Sequence, residues 1–327
     1  MTPFSRGIAA IAARIIDIGL AVLAVPAALI LLFYRRLSPG RLRVTTAVLR
    51  KIGIFPIRRH YYDPLFDPAE LRRPLSEDRV LPGIDMNVAG QLALLECLIF
   101  AGELVALKLD VQGNKVADFY IKNDSFLSGD AEFLYQFLRA TRPAKVLEIG
   151  SGNSTKIARL ALNKNAEDGA GTARHICIEP YEKPWLESLQ GVEVVRNLVE
   201  NCDIQWETEL QAGDLLFVDS SHIIRPQGDV LKEYLEIFPR LAPGVYIHIH
   251  DIFTPKDYLP EWIERDVRLW NEQYLLEALL TNSYRYEVIG ALNFLKHNHG
   301  AALGAVCPYL TPDREPGSFY IRVREAA

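Results

Sequence analysis

Residues 146–155 read Val146-Leu147-Glu148-Ile149-Gly150-Ser151-Gly152-Asn153-Ser154-Thr155, and the reading of this stretch decides the fold. Its apolar start predicts a strand over 145–150. Two glycines one residue apart let the backbone turn tightly and come close to a ligand. Ser154 and Thr155 can then cap a helix over Ser154–Leu162. A dinucleotide-binding fingerprint wants a third glycine near position 155, where Thr155 stands, and does not include an acid at the place of Glu148. The pattern is therefore poor for NAD. Taken alone it also fits an ordinary strand, turn and helix with a surface glutamate.

The alternation extends to both sides. A helix over Gly129–Ala140 follows a Ser128 cap and stops before Pro143. After the glycine loop come strand HICIE (175–179), a helix near Lys183–Leu189, strand VEVV (192–195) and a short helix around Ile204–Leu210. Strand LLFVD (215–219), helix Asp229–Leu241, strand VYIHIHD (245–251) and a long helix over Leu259–Leu280 complete the run. Strands alternating with helices predict an α/β fold, a Rossmann-like doubly wound, mainly parallel sheet with helices on both faces. YEVIGAL (286–292) and SFYIRV (318–323) lack an amphipathic crossover of helix length between them. They predict an antiparallel terminal strand pair at one edge.

In an open parallel sheet, ligands bind beyond the carboxyl ends of the strands, near the reversal of strand order. Those ends carry Glu148, Glu179, Asp219, His222, His250 and Asp251. The glycine loop resembles motif I, [DE]-x-G-x-G, of class I S-adenosylmethionine-dependent methyltransferases, and Glu179 matches their acid on the second strand. The resemblance implies that Glu148, Gly150, Ser151, Gly152, Asn153, Ser154 and Asp219 form the S-adenosyl-L-methionine site. Glu179 would receive both ribose hydroxyls, as a two-oxygen acceptor can.

From about Ser128 to Ser283, the segments AGDLLFVDSSH, DVLKEYLEIFPRLAPGVYIHIHDIF and WNEQYLLEALL are similar to a bacterial branch of that class. The branch includes macrocin O-methyltransferase-like enzymes, which bind magnesium at these strand ends. By position, this implies a metal set of Asp219, His250 and Asp251. The relatives carry Asp-Asp where this chain has His250-Asp251, and Mg²⁺ prefers oxygen ligands. A softer divalent ion and no metal both stay open. A hydroxyl acceptor must lose its proton as it attacks the sulfonium methyl. The candidate catalytic residues are His222, whose ordinary pKa is near 6.5, and Asp219. Plain support of the site is the equal alternative for His222.

His248, two residues before His250, is expected to be a hydrogen-bonded structural histidine deeper in the sheet. Ordinary surface or edge roles are expected for His60, His175, His297 and His299. In DYLPEWIERDVRLWNEQYLL (257–276), Trp262, Trp270 and Tyr274 are expected mainly to pack one helix face, with stacking on an acceptor as the alternative.

The 327 residues carry a net charge of −5, which gives no support for a nucleic-acid partner. Cys97, Cys177, Cys202 and Cys307 are scattered without a C-x-x-C pair, a pattern of reduced thiols. Ile18–Phe33 is uncharged, and Arg14 and Asp17 are the only charges from Ile8 to Tyr34. Pro26 is expected to kink a helix there. Bases from Arg35 to Arg59 follow, with no acid before Asp63, which places that side in the cytoplasm and draws it to anionic lipid.

RIIDIGLAVLAVPAALILLF also resembles the Pro-broken re-entrant anchor of monotopic phosphoglycosyl transferases, with Arg6, Arg14, Arg35 and Arg36 flanking it. A single span is equally allowed; a cleaved signal peptide and a buried helix are the rivals. Arg41–Ile52 reads as an interfacial helix. The expected organisation is a membrane anchor with a basic segment (1–60), a linker and helical lead-in (61–127), and the methyltransferase domain (128–327). The chain is thus expected to be a membrane-associated O-methyltransferase with its domain in the cytoplasm, taking a sugar, lipid-linked or other small-molecule acceptor. An NAD-dependent oxidoreductase and a non-catalytic scaffold are the alternatives.

Overall fold

The structure is a computed structural model that describes residues 3–37, 40–59, 63–181 and 183–325, with side chains from residue 12 onward. His60 and the Arg6 side chain lie outside the described residues. The chain divides into two compact units, Met1–Arg72 and Arg73–Ala327.

The first unit contains α1 (Pro3–Arg36) and α2 (Arg43–Ile52). Helix α1 continues through Pro26 without ending there. A proline removes one N–H bond, and the turns on either side carry the helix past it. Its stretch Ala12–Arg36 has 25 residues, and the most apolar 18 of them have a mean hydropathy of 2.6 with none buried. At 1.5 Å per residue it measures about 37 Å, more than the roughly 30 Å of a hydrocarbon core. Helix α2 is short and exposes Val44, Val48 and Ile52. Gly53, at φ +85°, ends it and donates back to Arg50. Asp63 pairs with Arg35 at 2.7 Å and Arg58 at 3.1 Å, so two charges of the basic stretch are internally matched.

The second unit is built on one sheet of seven strands: β1 (Lys145–Ile149), β2 (Arg174–Ile178), β3 (Val192–Val195), β4 (Leu215–Val218), β5 (Tyr246–Ile249), β6 (Tyr286–Ala291) and β7 (Phe319–Val323). The order is β3-β2-β1-β4-β5-β7-β6, with β1 to β5 parallel and β7 antiparallel to both its neighbours. Strand order reverses between β1 and β4. Side chains alternate across the sheet. Val146, Leu215, Phe217 and Tyr320 join a core on one face; Leu147, Ile149, Leu216, Val218, Ile247 and Ile249 join a core on the other.

Helices cover both faces. They are α3 (Val88–Cys97), α4 (Ala101–Ala106), α5 (Asp130–Thr141), α6 (Asn153–Glu167), α7 (Trp206–Glu209), α8 (Asp229–Lys232), α9 (Glu272–Leu280), α10 (Leu292–Asn298) and α11 (Gly300–Val306). Leu95, Leu98, Leu104, Phe119 and Ile121 are buried in the same core as α5. Residues 73–127 are thus part of this unit, not a lead-in to it.

Several local expectations change. Apart from those, Phe119 and Ile121 are buried from an irregular chain that forms no strand. The helix near Lys183–Leu189 is one short turn, Leu186–Ser188. The expected long helix over Leu259–Leu280 is broken into a turn at Glu261–Arg265 and α9, with irregular chain between. The Asn271 and Glu272 amides donate to the His222 carbonyl at 3.1 and 3.2 Å, and this fixes where α9 starts. Two short helices, α10 and α11, do stand between β6 and β7. Helix α5 is not capped by Ser128: Gly129 takes φ +87° and its N–H donates to the Glu132 carboxylate at 2.8 Å.

His248 answers differently from expectation. It lies in register with Phe217 and Tyr320 and is fully buried, with ring centroids 4.1 and 4.7 Å away. Among the described residues, neither ring nitrogen has a hydrogen-bond partner. Burial, with His250 adding to it, holds its pKa well below the usual histidine value, so the ring is neutral. Folding therefore keeps a proton off a group that binds one near pH 6.5 when unfolded. Stability from this source is complete above that pH and is lost as pH falls toward the folded pKa. His248→Phe removes two unpaired nitrogens at similar volume. It is expected to be neutral to about 2 kcal/mol stabilising at pH 7.5, with a larger advantage at pH 5.5. Urea midpoints at the two pH values measure both effects.

Candidate active site

The glycine loop is held from behind. Gly150 has φ +81°, and a Cβ there would lie 1.9 Å from the Asp219 carbonyl oxygen, so only glycine fits. Its N–H donates to Ile178 at 3.0 Å, while the Asp219 N–H donates to Ile149 at 2.9 Å. The Gly152 N–H donates to the Thr155 hydroxyl at 3.1 Å, and that hydroxyl donates to Glu148 at 2.7 Å. Ser154 and His175 also reach Glu148, at 3.3 and 2.8 Å. Thr155, in the place of a third glycine, is thus the link between the loop and a buried carboxylate.

Two expectations are corrected by this. Glu148 is fully buried and its oxygens are occupied by Ser154, Thr155 and His175, so it braces the loop from below. His175 is buried, not at the surface.

A cavity of about 260 Å³ opens in front of the loop, at the reversal of strand order, and Gly150, Glu179 and Asp219 line it. Ser151, Gly152, Asn153 and Ser154 are not on its wall; they are the turn behind it. The Glu179 carboxylate accepts from the Ser151 and Tyr181 amides at 3.1 and 3.0 Å. Lys183, which the sequence reading missed, donates to Glu179 at 3.2 Å and to the Ser151 carbonyl, and lines the cavity. Its position four residues after Glu179 was the available signal.

A second cavity of about 450 Å³ shares Asp219, Ser220 and Ser221 with the first. His222, His250, Asp251, Trp262 and Trp270 are on its walls. Tyr274 is not; it packs against Tyr258, with ring centroids 5.8 Å apart. At the junction, His222 Nε2 lies 3.3 Å from Asp219 and 3.6 Å from Asp251. Its Nδ1 donates to buried Glu272 at 2.8 Å, and Tyr234 donates to the other oxygen of Glu272 at 3.1 Å. His222 and Asp251 both hold left-handed backbone, φ +60° and +58°. Such strain in ordinary residues collects at functional sites.

Charges here are interlocked. Burial alone favours neutral His222, but the hydrogen bonds to Asp219 and Glu272 outweigh it and hold its pKa well above the usual value. Burial likewise works to raise Asp219, yet His250 and His222 hold it down at about 2. Burial raises Asp251. A protonated His222 has no lone pair to take a substrate proton, so the ligand-free site does not present it as a general base.

One atom each from Asp219, His222 and Asp251 lies within 4.8 Å of the others, a spacing that fits a metal ion. His250 is not in that set: its Nε2 is 3.5 Å from Asp251, and its ring packs on Phe126 with centroids 5.0 Å apart. Of the expected set of Asp219, His250 and Asp251, the two aspartates fall in this group, together with His222 in place of His250. The Glu272 carboxylate on Nδ1 is the outer partner that orients a metal-binding imidazole. Glu272→Gln is expected to bring the His222 pKa down toward the ordinary range. An NMR titration of the ring measures it, and an unchanged pKa would remove Glu272 from this role.

Residues 147–252 match a family described as a methyltransferase domain. Over that stretch the second unit is thus similar to a methyltransferase domain. An uncharacterized protein from Archaeoglobus fulgidus is 29% identical over 176 residues, which cover 50% of this chain and 78% of that one. Among solved structures, the O-methyltransferase TomG from Streptomyces achromogenes, involved in tomaymycin synthesis and crystallised with S-adenosylmethionine, is 14% identical. The match covers 71% of this chain and 91% of that one at a TM-score of 0.38. An O-methyltransferase from Bacillus cereus in complex with S-adenosylhomocysteine is 16% identical over 71% of this chain and 91% of its own, also at 0.38.

Proposed function

We propose that this protein is an S-adenosylmethionine-dependent methyltransferase that acts on a hydroxyl oxygen of a sugar, lipid-linked or other small-molecule acceptor at the cytoplasmic face of a membrane. The observation that carries the oxygen reading is the junction at Asp219–Ser221, where both cavities meet beside two carboxylates and an imidazole. The first cavity takes the cofactor, with Glu179 on the ribose hydroxyls in exchange for its present contact with Lys183. The acceptor enters the second, and its hydroxyl oxygen attacks the methyl group. The carbon–sulfur bond breaks with its electrons going to sulfur, and the hydroxyl proton passes to the Asp219–His222–Asp251 cluster.

Asp219, His222 and Asp251 fit a divalent cation; bound there, it supplies a lowered pKa for the acceptor hydroxyl. One nitrogen and two carboxylates suit a first-row divalent ion as well as a hard one. Trp262 and Trp270 offer aromatic faces to a sugar ring.

The membrane part of the reading rests on the exposed apolar stretch of α1, the bases after it and the apolar residues exposed on α2. The test is transfer of labelled methyl from S-adenosylmethionine into membrane extracts, with and without EDTA, followed by solvent partition. Label in the lipid-soluble fraction supports the reading. Label confined to water-soluble metabolites removes the lipid-linked acceptor, and label on nitrogen removes the oxygen chemistry.

A further inference from the structure

The wall of the second cavity carries a cation, Arg268, with one long ion-pair contact among the described residues. The Arg268 guanidinium carbon lies 4.4 Å from the Trp262 ring centroid and 4.7 Å from that of Trp270. Its backbone N–H donates to the Trp262 carbonyl at 2.8 Å, which closes the loop on itself. Among the described residues, its ion-pair contact is Asp266 at 3.9 Å, and Asp266 is already held by Arg265 at 2.7 Å.

Apart from Asp124, the other charges around the cavity are matched. Arg314 pairs with Asp130 at 3.0 Å, Glu315 with His297 at 2.8 Å and Lys296 at 2.5 Å, and the two imidazoles with the junction carboxylates. Asp124 stands exposed at the rim. The two indoles meet edge to face, with centroids 5.2 Å apart, and the guanidinium lies against both of them, its side chain 36% exposed. Such a planar donor fork suits a two-oxygen anion.

We infer that the acceptor carries a carboxylate or phosphate group, which Arg268 receives at the tryptophan end of the cavity while the reacting hydroxyl lies at the Asp219–Asp251 end. This rests on the second cavity being the acceptor site. A neutral sugar would need the indoles but would leave the guanidinium without a partner.

The test uses the intact chain in neutral detergent at constant ionic strength, following tryptophan fluorescence, since Trp262 and Trp270 flank the cation. The probes are inorganic phosphate, glucuronate and glucose. Saturable binding of phosphate or glucuronate, with glucose at least about tenfold weaker, is the expected result. Tighter phosphate indicates a phosphate ester, and tighter glucuronate a sugar acid. Arg268→Gln is expected to weaken the anion by about tenfold or more, and Arg268→Lys to restore part of the loss for phosphate. Calorimetric affinity for S-adenosylmethionine should be unchanged in both variants, which also shows that they are folded. Glucose binding as tightly as glucuronate, no saturable anion binding, or unchanged anion binding in Arg268→Gln overturns the inference. Failure of the wild-type chain to bind S-adenosylmethionine would strike the function reading instead and leave the anion result standing.

Discussion

Asp219→Asn is expected to lower methyl transfer by about a thousandfold, within the range for loss of an acid–base group or a metal ligand. The change keeps the side-chain shape and its capacity to accept one hydrogen bond. It removes a charge that two imidazoles face, at the one place where both cavities meet. His222 loses one of the two partners that keep it protonated, and a cation site loses one of its three atoms. S-adenosylmethionine affinity should fall far less than turnover, because the Gly150 and Glu179 contacts are untouched. Turnover from labelled cofactor and calorimetric binding separate the two effects. A variant within twofold of the wild-type rate would remove Asp219 from the chemistry.

Gly150→Ala is expected to be the most damaging single methyl group in the catalytic unit. The added carbon would sit 1.9 Å from the Asp219 carbonyl, well inside contact distance, and the backbone angle of +81° is itself strained for alanine. No flexible side-chain end is available to yield, since the obstacle is main chain at the end of β4. Destabilisation of about 3 kcal/mol or more is expected, together with loss of measurable cofactor binding. Ser151→Ala, one residue on, keeps the backbone free and serves as the control. A Gly150→Ala protein with an unchanged urea midpoint would mean that the loop can move off β4 at little cost.

The parallel part of the fold was legible because each buried strand is a short apolar run that ends on a glycine or a polar residue. The antiparallel edge was legible too, although for an incomplete reason: two short helices do separate β6 from β7. What failed did so where burial came without regular structure. Val116–Ile121 has strand-like apolar residues, yet Phe119 and Ile121 are buried from an irregular chain. The break between Trp262 and α9 was hidden because aromatic spacing on a folded-back loop imitates a helix face.

At the site, the sequence identified strand ends but not side-chain directions. Glu148 and Glu179 look alike on paper, and one points under the loop while the other faces the cavity. Glu272 lies 50 residues from His222 in sequence, so their contact had no local signature. His248 and His250 share a strand face, and only cross-strand neighbours reveal that the first sits among Phe217 and Tyr320.

The contact of Gly150 with the Asp219 carbonyl has a thermodynamic side. The loop that faces the cofactor and the residue that faces the acceptor are fastened through a single main-chain approach, with no side chain between them to absorb a shift. A displacement imposed at one cavity would then act on the other, and linkage requires the return effect to be equal in free energy. If the two cavities take the cofactor and the acceptor as proposed, their affinities are expected to be coupled, and calorimetric titration of one ligand with and without the other measures by how much.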